Sequence, residues 1–280
     1  MFLNPYSHKE PFSMSELIKR VPAAFAQNAS QDVSHKYNFI STEQVINALN
    51  EGGFHPYYAM QGRSRKEGKE LVAKHVVKFR KEGTQLIRGD LIPEIVLSTS
   101  HDGTSAFRLD FGIHRVICSN GLVAPSSFAV SRSVRHKGYN DGDIIDAAFE
   151  VLSNCPDVEK NVTEMNKLIL TEREREVFAE ASLLLKYNDD DIEETLKENF
   201  SPTPSLLLVN RRRGDSGKDL FSTFNVIQEN LIKGGQLFFG KDKSGFKVKK
   251  TTRPVKSVIE DLKLNKALWT LANKMLEIRS

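Results

Sequence analysis

Ile92 to Val123 reads IPEIVLSTSHDGTSAFRLDFGIHRVICSNGLV, and the fold of the chain turns on this stretch. Glu94 to Ser100 is rich in Ile, Val, Leu and Thr, and Ser105 to Phe111 alternates polar with apolar residues. Both are strand patterns. Between them sits His101-Asp102-Gly103-Thr104, and an Asp-Gly pair flanked by two such runs predicts a hairpin. Glycine supplies the positive φ that a primed turn requires without steric penalty. Gly112 then interrupts the second run, Ile113 to Cys118 reads as a third strand, and Asn120-Gly121 closes it. The stretch predicts a three-stranded antiparallel meander.

Upstream, a further hairpin is expected, with His55 to Gln61 as one arm and Leu71 to Arg80 as the other. Along the second arm Leu71, Ala73, His75, Val77 and Phe79 alternate with Val72, Lys74, Val76, Lys78 and Arg80, so one face should be apolar and the other basic. Gln61 to Lys81 holds eight Lys or Arg against two Glu. Ser13-Met14-Ser15-Glu16 has capping-box spacing, and Ser41 should cap a helix carrying Val45, Ile46 and Leu49.

Downstream the period changes. Ile144, Ile145, Ala148, Phe149 and Leu152 recur at helical spacing, and Thr171 with Glu174 is a second capping box. Asp219 to Lys233 reads as a helix stopped by Gly234-Gly235, and Ser257 to Arg279 as a closing helix. Gly240 to Arg253, between them, is polar, basic and glycine-punctuated, and reads as a loop. The expected fold is α+β: an antiparallel sheet of about five strands in the N-terminal half, packed with a helical C-terminal half. Residues 1–40 form an N-terminal extension, and 41–280 one two-lobed domain, with a sheet lobe at 41–130 and a helical lobe at 141–280.

Composition narrows the function classes. A hydrophobic content of 39% with 17 Phe suffices for a core. No apolar run reaches the roughly 20 residues of a membrane span, and the first residues lack signal-peptide character. Cys118 and Cys155 cannot build a disulfide scaffold or a Cys-rich zinc site, and a reducing cytoplasm is the natural setting.

Several phrases carry a family resemblance: SHDGTSAFRLDFGIHRVICSNGLV, FAEASLLL, LLLVNRRRGDSGKDLFSTFNVIQENLIKGG, LNKALWTLA, and STEQVINALNEGGFHPYYAMQGRSR followed by KHVVKFR. From about Ser41 to Met275 the chain resembles, in the expected order, the phage- and plasmid-like family catalogued as domain of unknown function 932. Phe221 stands where the family phrase has Trp. The resemblance implies a mobile-element context, beside single-strand binding and anti-restriction functions; it brings no activity.

No catalytic signature stands out. His101-Asp102 at a turn tip could be a base with its orienter, but the plainer reading is a turn made by Asp102-Gly103. Asp110, His114 and Cys118 share a strand face only if Gly112 leaves the register intact, and spacing along a strand makes no tetrahedron. Asp189 to Asp191 is ordinary compensation of a helix dipole. The basic segments are more informative: Arg63 to Lys81, Arg132 to Lys137, Arg211-Arg212-Arg213, and Lys241 to Arg253, with Tyr57, Tyr58, Phe79, Phe238, Phe239 and Phe246 interleaved. Single-strand binders combine such cations with aromatic faces.

The expectation is a nucleic-acid-binding accessory protein of a phage or plasmid, contacting single-stranded or recombining DNA. Arg63, Arg65, Lys74, Lys78 and Arg80 would hold phosphates along the sheet. Lys243, Lys247, Lys249, Lys250 and Arg253 would form a mobile arm, and Arg211, Arg212 and Arg213 either a further contact or an internal clamp on Asp215 and Asp219. The alternatives are an enzyme on nucleic acid or nucleotides with His101, Asp102, Glu229 and Arg213 in one pocket, or a protein-binding inhibitor of a host defence. No cofactor or metal is expected. The expected partner is DNA, single-stranded by preference, with a host or phage protein or a second copy of the chain as further candidates.

Overall fold

In the computed structural model the described residues are 10–33, 37, 39–62, 69–84, 86–87, 90–116, 120–123, 132–133, 141–187, 202–212, 215–241, 244 and 246–279. The chain divides into two compact units, Met1–Glu159 and Lys160–Ser280.

The first unit opens with α1 (Met14–Arg20), whose Ser13–Glu16 capping box is formed, and α2 (Thr42–Glu51), capped by Ser41. The sheet follows: β1 (Phe54–Gln61), β2 (His75–Lys81), β3 (Leu91–Thr99), β4 (Arg108–Arg115), β5 (Asn120–Val123) and the short β6 (Arg132–Ser133). All neighbours pair antiparallel in the order β1-β2-β3-β4-β5, with β6 also on β4. The α+β reading is correct, as is the meander at its centre.

Two local expectations need correction. Gly112 does not break a strand: β4 runs through it to Arg115, and the third strand of the meander is β5. The His101–Thr104 turn is not a tight two-residue hairpin either, because residues 100–107 form a longer loop between β3 and β4. Gly103 within it does take positive φ, at 78°.

One sheet face is apolar. Cross-strand rows Val77–Leu97–Leu109 and Phe79–Ile95–Phe111 are almost wholly buried. α3 (Asp141–Leu152) packs on β3, β4 and α2, and its Phe149 meets Phe54 edge-on at 5.2 Å. α3 thus belongs with the sheet.

α4 (Cys155–Lys167) leads into the second unit, which holds α5 (Glu172–Lys186), α6 (Pro204–Leu207), α7 (Leu220–Lys233), a hairpin of β7 (Leu237–Lys241) and β8 (Lys247–Thr251), and α8 (Val258–Arg279). The Thr171–Glu174 capping box opens α5, and Asp219 caps α7. α7 is buried at every position from Leu220 to Leu231 except Ser222, because α5, α6 and α8 all pack on it, with Phe224 edge-on to Trp269 at 5.8 Å. Two of its buried amides find acceptors, Gln228 donating to Asn265 and Asn230 to the carbonyls of Leu207 and Val209, while Thr223 Oγ1 and Asn225 Oδ1 have no hydrogen-bond partner among the described residues. Among the described residues no helix is long and apolar enough to cross a membrane.

Candidate nucleic-acid interface

The segment expected to be a loop arm, Gly240 to Arg253, is mostly the second half of a β-hairpin, and this corrects the sequence reading. The register pairs Leu237 with Thr251, Phe238 with Lys250, Phe239 with Lys249, Gly240 with Val248 and Lys241 with Lys247. Opposed residues share a face, so Leu237, Phe239, Lys249 and Thr251 lie on one side. That side is solvent-exposed throughout, whereas Phe238 and Val248 on the other side are half-buried. Phe239 is 58% exposed and Phe246, at the turn end of β8, 72%. The alternation that marks these strands was present in Lys247, Val248 and Lys249, but glycines and lysines obscured it.

The hairpin is fastened at its base. α7 ends on Gly234 at φ 59° and Gly235 at φ 76°, which turn the chain into β7. Gly235 N–H donates to the Thr252 carbonyl at 2.7 Å, and Thr252 N–H to the Gln236 carbonyl at 2.9 Å. Lys186 at the end of α5 donates to the carbonyls of Leu231, at 2.7 Å, and Arg253, at 2.5 Å. Burial lowers the pKa of that ammonium. Arg211 donates through Nε to Asn230 Oδ1 at 2.6 Å and through its Nη2 to the Gly234 carbonyl.

The other expected contacts fall out differently. Arg212 makes a two-pronged pair with Glu229 and bonds Asp215 at 2.9 Å, while Lys233 reaches Glu229 at 2.8 Å. Burial raises the pKa of the Glu229 carboxyl, but hydrogen bonds from Arg212 and Lys233 outweigh it and hold that pKa low. Arg211 and Arg212 are therefore the internal clamp, with Glu229 rather than Asp219 as its acidic partner. Arg63, Arg65, Arg213 and Lys243 lie outside the described residues, as do Cys118 and Asp189 to Asp191, and only the backbone of Lys247 is described.

On the sheet, the basic face of β2 is turned inward. Lys78 is 3% exposed, Arg80 is paired through Nε with Glu94 Oε1 at 2.9 Å, and Lys74 is half-buried with its pKa lowered by desolvation. These three do not form the exposed phosphate track the alternation predicted, because Lys78 is buried, Lys74 half-buried and Arg80 engaged by Glu94. Arg253 is exposed at the hairpin base.

His101 is not at a solvent-facing turn tip; it is 1% exposed. Its Nε2 lies 3.2 Å from Thr42 Oγ1, which also lies 3.1 Å from His75 Nε2. Asp102 turns away, accepting from Ser100 Oγ at 2.6 Å, Thr104 N–H at 2.9 Å and Thr104 Oγ1 at 2.7 Å. No base–orienter pair forms between His101 and Asp102. Among the described residues no cluster of three His, Cys, Asp or Glu could hold a metal ion.

Residues 30–269 match the family described as domain of unknown function (DUF932), and the chain belongs to that family. Two curated relatives from Escherichia coli (strain K12) are similar along nearly their whole length. UPF0380 protein YafZ and UPF0380 protein YfjQ are each 36% identical over 266 residues, covering 95% of this chain and 92% of the relative. No solved structure matches.

Proposed function

We propose that the chain is a nucleic-acid-binding protein that takes single strands on its β7–β8 hairpin, bases stacking on Phe239 and Phe246 and phosphates held by Lys249 and Lys250. One observation carries this reading: an exposed phenylalanine sits directly across the ladder from an exposed lysine, on a ribbon with an excess of lysines. Phe239 is 58% and Phe246 72% exposed, so each presents aromatic surface of the kind on which bases stack. From Gly240 to Arg253 the segment holds Lys241, Lys243, Lys247, Lys249, Lys250 and Arg253 against Asp242 alone, which fits a polyanion. Aromatic faces accept any base, so the expected binding is tolerant of sequence. The phage or plasmid setting implied by the family resemblance would supply such strands.

The enzyme reading gains no support, since His101 is buried and Glu229 is held by Arg212 and Lys233. No observation favours the inhibitor reading.

The test is fluorescence anisotropy with labelled single- and double-stranded oligonucleotides across a salt series. Single strands should bind more tightly, with log affinity falling linearly against log salt at about 0.7 per phosphate neutralised. Phe239→Ala should weaken binding about tenfold or more, since stacking contributes roughly 1–3 kcal/mol per base. Lys249→Ala with Lys250→Ala should lower the salt slope by about 1.4. No binding at low salt, or unchanged binding in both variants, would remove the proposal.

A further inference from the structure

A second concentration of charge, independent of the hairpin, lies in the first unit on the sheet face opposite the apolar rows. The register aligns Tyr58, Lys78, Val96 and Asp110 across four strands, with Glu94 beside Gly112 and His114 beside Ile92 in the flanking rows. Lys78 is 3% exposed, Glu94 1%, Asp110 1% and His114 6%. Charges withdrawn from water this far ordinarily sit in complete ion pairs.

Here the pairing is incomplete. Glu94 Oε1 accepts from Arg80, but its Oε2 is buried and has no hydrogen-bond partner among the described residues. Among the described residues Lys78 Nζ meets no carboxylate or hydrogen-bond acceptor; its neighbour is the Tyr58 ring, 5.1 Å away. His114 adds a neutral imidazole, its pKa lowered to about 4 by burial.

The backbone is bent to serve this face. Tyr57 and Tyr58 are adjacent, and on a regular strand they would point to opposite sides. The register of β1 slips between Pro56 and Tyr58, which makes Tyr57 a bulged residue. The bulge lets Tyr57 lie against the Arg80 guanidinium at 4.4 Å while Tyr58 lies against Lys78. Bulges that re-aim side chains are over-represented beside functional sites.

We propose that this face is a binding site for a small phosphomonoester bearing a hydroxyl group: the phosphate takes Lys78 and Arg80, and the hydroxyl donates to Glu94 Oε2. A phosphomonoester carries about −1.5 to −2 at pH 7 and three acceptor oxygens; Lys78 brings a cation with no carboxylate partner among the described residues, and Arg80 a guanidinium it would share with Glu94, beside a neutral imidazole. The shared chemistry could come from a free nucleoside monophosphate or from the phosphorylated end of a strand.

The experiment titrates the full chain with inorganic phosphate, deoxyadenosine monophosphate, a 5′-phosphorylated oligonucleotide and unphosphorylated deoxyadenosine. Binding is followed by calorimetry and by the His114 imidazole proton signal, which binding at the hairpin does not move. The phosphorylated probes should shift His114 and deoxyadenosine should not; response to the monophosphate alone identifies a free ligand, and to the oligonucleotide alone a strand end. Lys78→Met should lose at least tenfold in affinity yet melt no lower than the wild type, because it removes a buried charge that has no ionic partner. Three results would overturn the proposal: a His114 signal unmoved by every phosphorylated probe, an equal response to deoxyadenosine, or a Lys78→Met protein that binds normally or melts well below the wild type. If the variant does not fold, the wild-type titration decides.

Discussion

Thr42 illustrates how much a single hydroxyl can settle. His75 Nδ1 lies 2.9 Å from the Ala73 carbonyl, which can only accept, so this nitrogen carries the proton. His75 Nε2 is then an acceptor, and the Thr42 hydroxyl donates to it. The same oxygen in turn accepts from His101 Nε2–H, and the chain of roles fixes the tautomers of both neutral imidazoles. His101 is therefore a satisfied core residue on this side. Thr42→Val keeps the shape and strips two buried imidazoles of their partner. It should destabilise the protein by roughly 2–4 kcal/mol, since each orphaned polar group costs about 1–3 kcal/mol. Urea unfolding checks this; an unchanged midpoint would show that the relay contributes nothing. His101 was legible as a notable residue in the sequence, but its depth was not, because polar residues at a predicted turn usually face water.

At the scale of elements, the informative contrast is between two basic segments of similar composition. In β2 Lys78 is buried and Arg80 is paired with Glu94, whereas Lys249 and Lys250 of β8 are exposed. Both alternate along a strand, so periodicity could not tell them apart; only that burial and pairing separate them. The hairpin's own placement depends on Lys186 and Gly234. Lys186→Met removes two charge-assisted hydrogen bonds to the carbonyls that begin and end the hairpin base, and should cost about 1.5–3 kcal/mol locally. Amide exchange at Thr252 and Val255 should accelerate while the interior of α8 stays protected; uniform acceleration would mean the lysine serves the whole unit instead. Gly234 has φ 59°, and an added Cβ there would come within 2.5 Å of the Arg253 carbonyl carbon. Gly234→Ala should therefore displace the hairpin and lower nucleic-acid affinity, measured by the same anisotropy series, without touching a binding residue.

For the whole molecule, the buried histidines set the response to pH. His75, His101 and His114 each have a pKa lowered to about 4, with burial the first cause, against an ordinary 6.5. Unfolded chains take up these protons near 6.5 while the folded protein refuses them until about 4. Stability is thus full above the unfolded value and is lost as pH falls across that window, by up to about 1.4 kcal/mol per histidine per pH unit. All three lie in the first unit, so melting curves between pH 7 and 4 should show that unit weakening first. A pH-independent transition would contradict it.

By itself the sequence determined the elements: strand alternation, helical periods, capping boxes and glycine stops are local, and local preference was enough to write the α+β order and the antiparallel meander. It also determined that positive charge is clustered along the chain. Which of those charges reach solvent was decided only by tertiary structure, because exposure depends on what packs over a face and on where an opposite charge from a distant strand or helix lands. Glu94 reaches Arg80 and Glu229 reaches Arg212 across the fold, and no reading of neighbours along the chain contains those encounters.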